Sequence, residues 1–232
     1  MNREEFTVSV VIPVFNEELT IGDIVARTRS TLGKIDLPYE VLVIDDGSAD
    51  RSAEISQASE AHVLREPHQG KGHALRLGFE RAKGTVIVTL DSDGSHQPEE
   101  IPTILQCIKE NRVDLVIGSR FLSNQTNNAK IPKVNRIGNR IFNNLIQFLT
   151  GMKFSDSQSG FRVIRSSTLS RMELNSRGYE VESEMLVKAL KMGAKVMEIP
   201  ISFEQRTVGA SRLDPLKDGT RILYSIIASY LF

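Results

Sequence analysis

Residues 85–98 read TVIVTLDSDGSHQP, an apolar run that ends abruptly in two aspartates separated by one serine. Thr85 to Leu90 is rich in β-branched residues and carries no charge, which is typical of a strand buried on both faces of a parallel sheet. Asp91 and Asp93 follow directly, and Pro98 suits the first turn of a helix. The stretch therefore predicts a strand, a polar turn at its carboxyl end and then a helix, which is the repeating unit of an α/β sheet.

Four other runs in the first half of the chain have the same apolar character. They are VSVVIPV (Val8 to Val14), YEVLVI (Tyr39 to Ile44), HVL (His62 to Leu64) and DLVIG (Asp114 to Gly118). Between them, apolar residues recur at helical spacing, as in Ile21, Ile24, Val25 and Leu32. This alternation predicts an α/β fold with an open, mostly parallel twisted sheet, flanked by helices and joined by right-handed crossovers.

The second half of the chain is less regular. Its pattern predicts an amphipathic helix over 136–150, a strand over 160–164, a helix over about 181–192 and a strand over 196–203. From Pro215 the sequence becomes apolar, which predicts an amphipathic C-terminal extension. We expect one main domain over 1–213 and an apolar helix over 214–232. That helix either lies in a membrane interface or packs against the main domain.

Composition excludes several classes of protein. The 232 residues include a single cysteine, so an intramolecular disulfide framework is excluded. No apolar run reaches the 18 residues of a membrane span, and the first residues lack the apolar core of a signal peptide. These features predict a cytoplasmic protein.

The charges are unevenly distributed although Lys+Arg and Asp+Glu both number 29. Residues 1–119 carry a net charge of −8, whereas residues 120–171 carry +8 with Asp156 as their one acid. A block of one sign is often simply a solvated face. The basic block would also suit a nucleic acid, an anionic membrane or a phosphorylated lipid. Nucleic-acid binding is a weaker hypothesis than membrane or lipid binding, because no aromatic stacking motif accompanies the basic block.

Acidic residues follow three of the predicted strands. In open α/β sheets, ligands bind at the carboxyl ends of the strands. The acids that would converge there are Glu17 and Glu18, Asp45 and Asp46, and Asp91 and Asp93. Clustered carboxylates repel one another unless they share a cation or a ligand. Asp91 and Asp93 have the spacing to approach one Mg²⁺ or Mn²⁺ ion, and such an ion would neutralise charge on a departing nucleotide diphosphate.

Six segments together resemble family 2 glycosyltransferases with the GT-A fold. They are VSVVIPVFNEE, VLVIDDGSAD, GKGHALRLGF, TVIVTLDSDGSHQPEEIP, DLVIGSRF and DSQSGFRVI. Within that family the chain is most similar to the dolichyl- and polyprenyl-phosphate sugar synthases, which make lipid-phosphate mannose or glucose, and the resemblance extends from about residue 7 to residue 213. It implies inverting transfer of a hexose from a nucleotide sugar, of the GDP-mannose or UDP-glucose type, to a polyprenyl or dolichyl phosphate. It also implies Mg²⁺ or Mn²⁺ as cofactor and peripheral contact with the cytoplasmic face of a membrane.

The resemblance also implies roles for matched positions. Those matched to donor binding are Pro13, Phe15, Glu17, Asp45, Asp46, Lys71 and Asp91, and those matched to the metal are Asp91 and Asp93. The positions matched to acceptor phosphate are Arg120, Arg136, Arg140, Arg206 and Arg212. The catalytic set comprises Asp93, Asp156, Arg120, Arg136 and Arg206.

Two departures from the branch pattern stand out. Ser95 occupies the position where the branch has glutamine, and Gly-Ala-Ser-Arg at 209–212 replaces Gly-Glu-Ser-Lys. The four histidines have no metal-binding spacing and are interpreted as surface or turn residues.

Glu180, Glu182 and Glu184 lie at the predicted start of a helix. They either stabilise that helix start or include a general base, because other family members place a general base at this helix start.

Whether the reaction needs a general base depends on the chemical group that accepts the sugar. A phosphate monoester is already ionised at neutral pH, because its second pKa is about 6, so it could attack the sugar directly. A glycan or protein hydroxyl acceptor would need a carboxylate base, and this remains an alternative. A second alternative is a non-catalytic subunit that binds nucleotide sugars.

Overall fold

The computed structural model describes residues 5–122, 131–205 and 214–232. The strands are β1 (Val8–Val14), β2 (Tyr39–Asp45), β3 (His62–Arg65), β4 (Val86–Thr89), β5 (Leu115–Ser119), β6 (Arg162–Arg165) and β7 (Val196–Pro200). The helices are α1 (Ile21–Leu32), α2 (Ser52–Ala58), α3 (Lys71–Arg81), α4 (Ile101–Glu110), α5 (Lys133–Thr150), α6 (Ser166–Leu169), α7 (Val181–Lys191) and α8 (Lys217–Leu231). A 3₁₀ turn at Pro98–Glu100 leads into α4, as the position of the proline predicts.

The strands form one sheet in the order β3-β2-β1-β4-β6-β5-β7. β1 pairs in parallel with β2 and β4, β2 with β3, and β5 with β7, which confirms the mostly parallel sheet. β6 runs antiparallel to both of its neighbours, β4 and β5. Thr89 at the end of β4 faces Arg162 at the start of β6. The segment that precedes β6 therefore arrives at the same sheet edge as the residues that follow β4.

Helices cover both faces of the sheet. Val10 and Ile12 belong to a buried cluster that includes α1 and α4, while Val11 points to the opposite cluster with α3, α5, α7 and α8. This alternation follows from the two-residue period of a strand. Because both faces are buried, the central strands consist almost entirely of apolar residues.

Several predicted boundaries shift in the structure. β4 and β7 are shorter than their apolar runs, β6 begins two residues later than predicted, and α5 begins at Lys133. The short helix α6 was not predicted, because its four residues are too few to establish a helical period.

The C-terminal residues form a helix as predicted. Ile222 and Ile226 of α8 are buried, and α8 packs against α5 and α7. Among the described residues, no helix combines the length and the apolarity that crossing a bilayer requires. The division of the chain at residue 213 stays a prediction.

Candidate functional site

The carboxyl ends of β1, β2 and β4 lie at one edge of the sheet, together with the segment before β6. Thr89 Oγ1 donates a hydrogen bond to the Gly160 carbonyl at 2.6 Å, which fixes that segment beside β4. Thr20 Oγ1 donates to the Ser92 carbonyl at 2.7 Å and joins the end of β4 to the loop after β1. The predicted convergence of acidic loops at this edge is therefore confirmed.

A half-buried lysine lies at the centre of this edge. Lys71 Nζ is 2.6 Å from Asp91 Oδ1 and 2.6 Å from Glu182 Oε1. Burial opposes ionisation of Asp91, but the ammonium of Lys71 and other neighbouring groups, including Arg120, together outweigh it and lower the pKa of Asp91 to about 2. Burial also acts to lower the pKa of Lys71, and the carboxylates of Asp91 and Glu182 raise it well above its ordinary range. Lys71 thus acts as an internal cation between two carboxylates.

Lys71→Met is expected to lower the free energy of unfolding by about 2 kcal/mol at pH 6, because one pKa unit corresponds to about 1.4 kcal/mol. The folded-state pKa of Asp91 lies below its ordinary value of 3.8, so the stabilisation is present above about pH 4. It is lost as the pH falls towards 2. Urea unfolding at pH 6 and pH 3 would measure this, and the two proteins should differ less at pH 3. Lys83→Met, at an exposed position, is the matched control, and an equal difference at both pH values would contradict the assignment.

The turn after β4 contains an unexpectedly buried histidine. Asp93 is half-exposed and accepts a hydrogen bond from the Ser95 backbone N–H at 3.0 Å. His96 is only 1% exposed, with its ring against Phe161 and Phe203. The surface interpretation was wrong for His96, because those aromatic rings lie far along the chain and enclose it only in the folded sheet. Burial lowers the pKa of His96 and outweighs the opposing effect of Asp91.

The acidic pair at the carboxyl end of β2 organises a second loop. Asp46 accepts backbone hydrogen bonds from Gln69 at 2.7 Å and from Gly70 at 2.9 Å, and its Oδ2 lies 2.8 Å from Nδ1 of His68. The His68 ring stacks on Phe15 with 4.0 Å between the ring centroids. A lone histidine carries no sequence signal of such a contact, so His68 was missed as a candidate.

The other predicted donor residues lie close to this loop. Asp45 is fully buried and accepts the Ser48 backbone N–H at 3.1 Å, and Arg65 Nε is 3.1 Å from its other oxygen. Pro13 lies inside β1 opposite Ile44. The backbone N–H of Glu17 donates to Ser52 Oγ at 2.7 Å, which joins the loop after β1 to the start of α2.

Arg120 and Asp156 form a buried ion pair. Arg120 donates to the Asp156 carboxylate through Nε at 2.7 Å, through a terminal nitrogen at 2.8 Å and through its backbone N–H at 3.0 Å. Asp156 is 0% exposed, and its own N–H donates to Glu198 at 2.8 Å. Burial disfavours the guanidinium charge, but Asp156 outweighs it and raises the pKa of Arg120. The Arg120 guanidinium carbon also lies 5.6 Å from the centre of the Phe203 ring.

The remaining predicted arginines lie on α5 or outside the described residues. Asn139 and Asn143 of α5 both donate to the Ser155 carbonyl, which places that face of the helix beside the Asp156 segment. Arg136 is half-exposed and Arg140 is exposed on the same helix. Arg206 and Arg212, both predicted to hold phosphate, lie outside the described residues.

Two residues before and within β6 shape the site without having been predicted to do so. A Cβ added at Gly160 would lie 2.6 Å from Asp91 Oδ1 and closer still to Oδ2. Arg162 is fully buried and donates to the carbonyls of Ser157, Ser159 and Glu182. The segment Ser159-Gly160-Phe161-Arg162 contributed to the family resemblance, but the sequence did not reveal which contacts its glycine and arginine make.

Gly160→Ala is expected to reduce activity by at least about tenfold and to lower the melting temperature, because it disturbs the contact between Asp91 and Lys71. The new methyl group must push the Asp91 carboxylate aside, and an ångström of misplacement at a reacting centre is costly. Product formation and the melting temperature would be measured together. Gly219→Ala in α8, where a Cβ meets nothing within 4 Å, is the matched control. Full activity of Gly160→Ala would contradict a role for the position of Asp91.

The side chains at this edge carry a net negative charge that a divalent cation could neutralise. Asp91, Asp93 and Glu182 are opposed by the single ammonium of Lys71, while Arg120 and Asp156 cancel each other. Over the described ranges, no three His, Cys, Asp or Glu side chains are already gathered around a common centre. In this arrangement Lys71 holds one carboxylate oxygen of Asp91. The oxygen donors and the net charge of −2 fit Mg²⁺ or Mn²⁺ once that contact is exchanged.

Comparisons with known proteins agree with this architecture. The family described as "Glycosyl transferase family 2" matches residues 9–172. The dolichyl-phosphate hexose transferase of Haloferax volcanii is 32% identical, with 94% of this chain and 92% of that protein covered. The polyprenol monophosphomannose synthase of Mycolicibacterium smegmatis is 30% identical, with 88% and 80% covered.

The fold is also that of a solved glycosyltransferase. The glucosyl-3-phosphoglycerate synthase of Mycobacterium tuberculosis, crystallised with Mn²⁺ and UDP-glucose, has a TM-score of 0.76 at 22% identity, and the match covers 97% of this chain and 79% of that one. The GT-A fold expected from the sequence is thereby confirmed. The matched segment and the two relatives establish that this chain is a glycosyltransferase and belongs to glycosyl transferase family 2.

Proposed function

We propose that this enzyme transfers a hexose, with inversion, from a nucleotide sugar to a polyprenyl or dolichyl phosphate. The observation that carries the proposal is the position of one arginine beside two carboxylates at one sheet edge. Asp91 and Asp93 both act on the charge of Arg120, which Asp156 holds in place. Relatives named for polyprenyl-phosphate and dolichyl-phosphate sugar transfer support the choice of acceptor.

The donor nucleoside would lie over the loops after β1 and β2. Phe15 and the stacked His68 provide an aromatic surface for a base, and Asp46 holds the loop that carries His68. Asp45, Glu17 and Pro13 belong to the same edge and are proposed to shape this half of the site. Lys71, at the start of α3, is within reach of a diphosphate once it leaves Asp91.

Asp91 and Asp93 would hold the divalent ion. The UDP and Mn²⁺ or Mg²⁺ complexes of the structural relatives are compatible with this assignment. When bound, the ion would stabilise the charge that develops on the leaving diphosphate. Lys71, released from Asp91, would remain paired with Glu182 and add a second positive charge on the diphosphate side.

Arg120 would orient the acceptor phosphate, with Arg136, Arg140, Arg206 and Arg212 as further cations. Asp156 keeps the Arg120 guanidinium in one orientation through two side-chain hydrogen bonds. Guanidinium groups suit phosphate oxygens because they donate paired, charge-assisted hydrogen bonds. The ionised phosphate oxygen would attack the anomeric carbon as the bond to the diphosphate breaks, without prior removal of a proton.

Contacts of the three glutamates near α7 support this base-free attack. Glu184 accepts backbone hydrogen bonds from Asn175 and Ser176 and pairs with Lys188. Glu180 accepts the backbone N–H groups of Arg177 and Gly178, and Glu182 pairs with Lys71. Each of the three thus has a structural partner. Single substitutions to glutamine test the point, since a collapse of turnover with unchanged substrate binding would indicate a general base.

A panel of nucleotide sugars tests the proposed reaction. The enzyme would be incubated with GDP-mannose or UDP-glucose, phytanyl phosphate and Mn²⁺, and the mass of the lipid product would be measured. One donor should yield a product heavier than the acceptor by one hexose. Transfer to a glycan or protein hydroxyl but not to the lipid phosphate would overturn the proposed acceptor.

An exposed apolar surface on α5 and α8 supports peripheral contact with a membrane. Its side chains are Val134, Ile137, Ile141 and Phe148 of α5, Tyr224, Ile227, Tyr230 and Leu231 of α8, and the terminal Phe232. The two helices pack against each other. Arg136 and Arg140 immediately precede Ile137 and Ile141, which places a basic row beside the apolar stripe. This combination suits an anionic lipid surface.

Phe148→Glu is expected to weaken binding to vesicles of phosphatidylcholine and phosphatidylglycerol by at least about tenfold. The Phe148 side chain is 84% exposed, and burying a phenylalanine contributes roughly 1.5–3 kcal/mol. Co-sedimentation with the vesicles measures the change. Leu19→Glu is the matched control, because Leu19 is 72% exposed but lies just before α1. Equal binding of both variants would contradict contact through this face.

A further inference from the structure

We propose that His96 supplies a nitrogen ligand to the divalent ion held by Asp91 and Asp93. The inference rests on the ion of the proposed function and concerns a residue that the sequence pattern did not select. It would make the site one of two carboxylates and one imidazole, completed by the donor diphosphate and water.

The environment of the His96 ring carries the proposal. Neither ring nitrogen has a hydrogen-bond partner among the described residues, although both are buried. Buried polar atoms are rarely left without a partner, and an exception calls for a missing ligand or water. His96 Nδ1 lies 3.6 Å from Asp91 Oδ2. The unpartnered nitrogen is therefore directed towards a proposed metal ligand.

The separation is compatible with shared coordination. Ligands of an octahedral ion lie about 2.1 Å from it, so neighbouring donors are roughly 3 Å apart. The measured 3.6 Å would contract by about half an ångström on binding. Asp91 also has freedom to adjust, because its contact with Lys71 uses Oδ1 while Oδ2 faces His96.

Neighbouring residues hold the ring in this place. Phe161 and Phe203 contact it, with ring centroids 5.8 and 6.4 Å from its own. Ser95 N–H donates to Asp93 Oδ1, so the turn that carries His96 is tied to the second proposed ligand. One local segment would thus supply all three protein donors.

A nitrogen donor predicts a preference among metals. Mg²⁺ favours oxygen ligands, whereas imidazole is a better ligand for transition-metal ions. We therefore expect the protein to bind Mn²⁺ more tightly than Mg²⁺, as measured by competition without any donor present.

Electron spin-echo spectroscopy of the Mn²⁺-loaded full chain tests the proposal without relying on activity. The expected spectrum shows coupling to ¹⁴N, which is replaced by ¹⁵N coupling when the histidines alone are labelled. His96→Phe should abolish the coupling and weaken Mn²⁺ binding by at least about tenfold. His62→Phe, at an exposed position on β3, should change neither.

The outcomes separate this inference from the proposed function. Mn²⁺ binding that requires Asp93 but shows no histidine coupling would overturn the role of His96 and leave the carboxylate site intact. Coupling that persists in His96→Phe would assign it to another histidine and also overturn the proposal. Absence of Mn²⁺ binding would overturn both. The labelling measurement uses the unsubstituted protein, so it tests whether a histidine nitrogen binds Mn²⁺ even if His96→Phe fails to fold.

Discussion

Asp93→Asn is expected to reduce hexose transfer by about a thousandfold or more while the protein remains folded. The substitution removes one of the two carboxylates proposed to hold the divalent ion, and losing such charge stabilisation costs about 4 kcal/mol of the barrier lowering. The amide side chain of the variant would keep an oxygen that can accept the hydrogen bond from the Ser95 N–H. Asp93 is also only half-buried.

The measurement combines lipid-product mass, Mn²⁺ affinity and melting temperature. Asp36→Asn, at an exposed position before β2, is the matched control and should retain full transfer. Asp91 is a poorer position for this experiment, because its substitution would also leave Lys71 without one of its two carboxylates. If Asp93→Asn binds Mn²⁺ normally and transfers within tenfold of the unsubstituted enzyme, Asp93 is not a metal ligand.

The sheet and its acidic edge were predictable because they depend on local sequence. The apolar runs of β1, β2 and β4 identify buried strands, and Asp91 and Asp93 follow one of them directly. Parallel strands then bring the loops to one edge, whatever the details of packing. The reversed direction of β6 was not predictable, since its four residues carry no signal of orientation.

The partners of the site residues depend on that topology. Lys71 and Glu182 lie on different helices, yet β6 and α7 bring them to 2.6 Å. Asp156 reaches Arg120 because the segment before β6 returns beside β5. The burial of His96 likewise depends on Phe161 and Phe203. Sequence spacing therefore identified which residue types converge but not which of them are paired with one another.

The paired arrangement of Arg120 and Asp156 leads to a large expected effect on stability. Asp156→Asn should lower the free energy of unfolding by about 3 kcal/mol or more, because it leaves the Arg120 guanidinium buried without its counter-charge. Asp23→Asn provides the matched control. Asp23 contacts Arg27 at the surface, and exposed pairs contribute about 0–1 kcal/mol. Urea unfolding of both variants would measure the difference, and equal stabilities would contradict the structural role of the buried pair.

A double-mutant cycle then separates the structural role of Asp156 from a chemical one. Arg120→Met combined with Asp156→Leu removes both charges, so it should be less destabilising than the sum of the two single changes. Because Arg120 is proposed to orient the acceptor, Asp156→Asn should also raise the KM for phytanyl phosphate more than it lowers kcat. A fall in kcat of about a hundredfold at unchanged stability and KM would instead mean that Asp156 contacts the reacting sugar. In that case Arg120 would orient the Asp156 carboxylate towards the sugar. Asp156 would not then act by orienting Arg120.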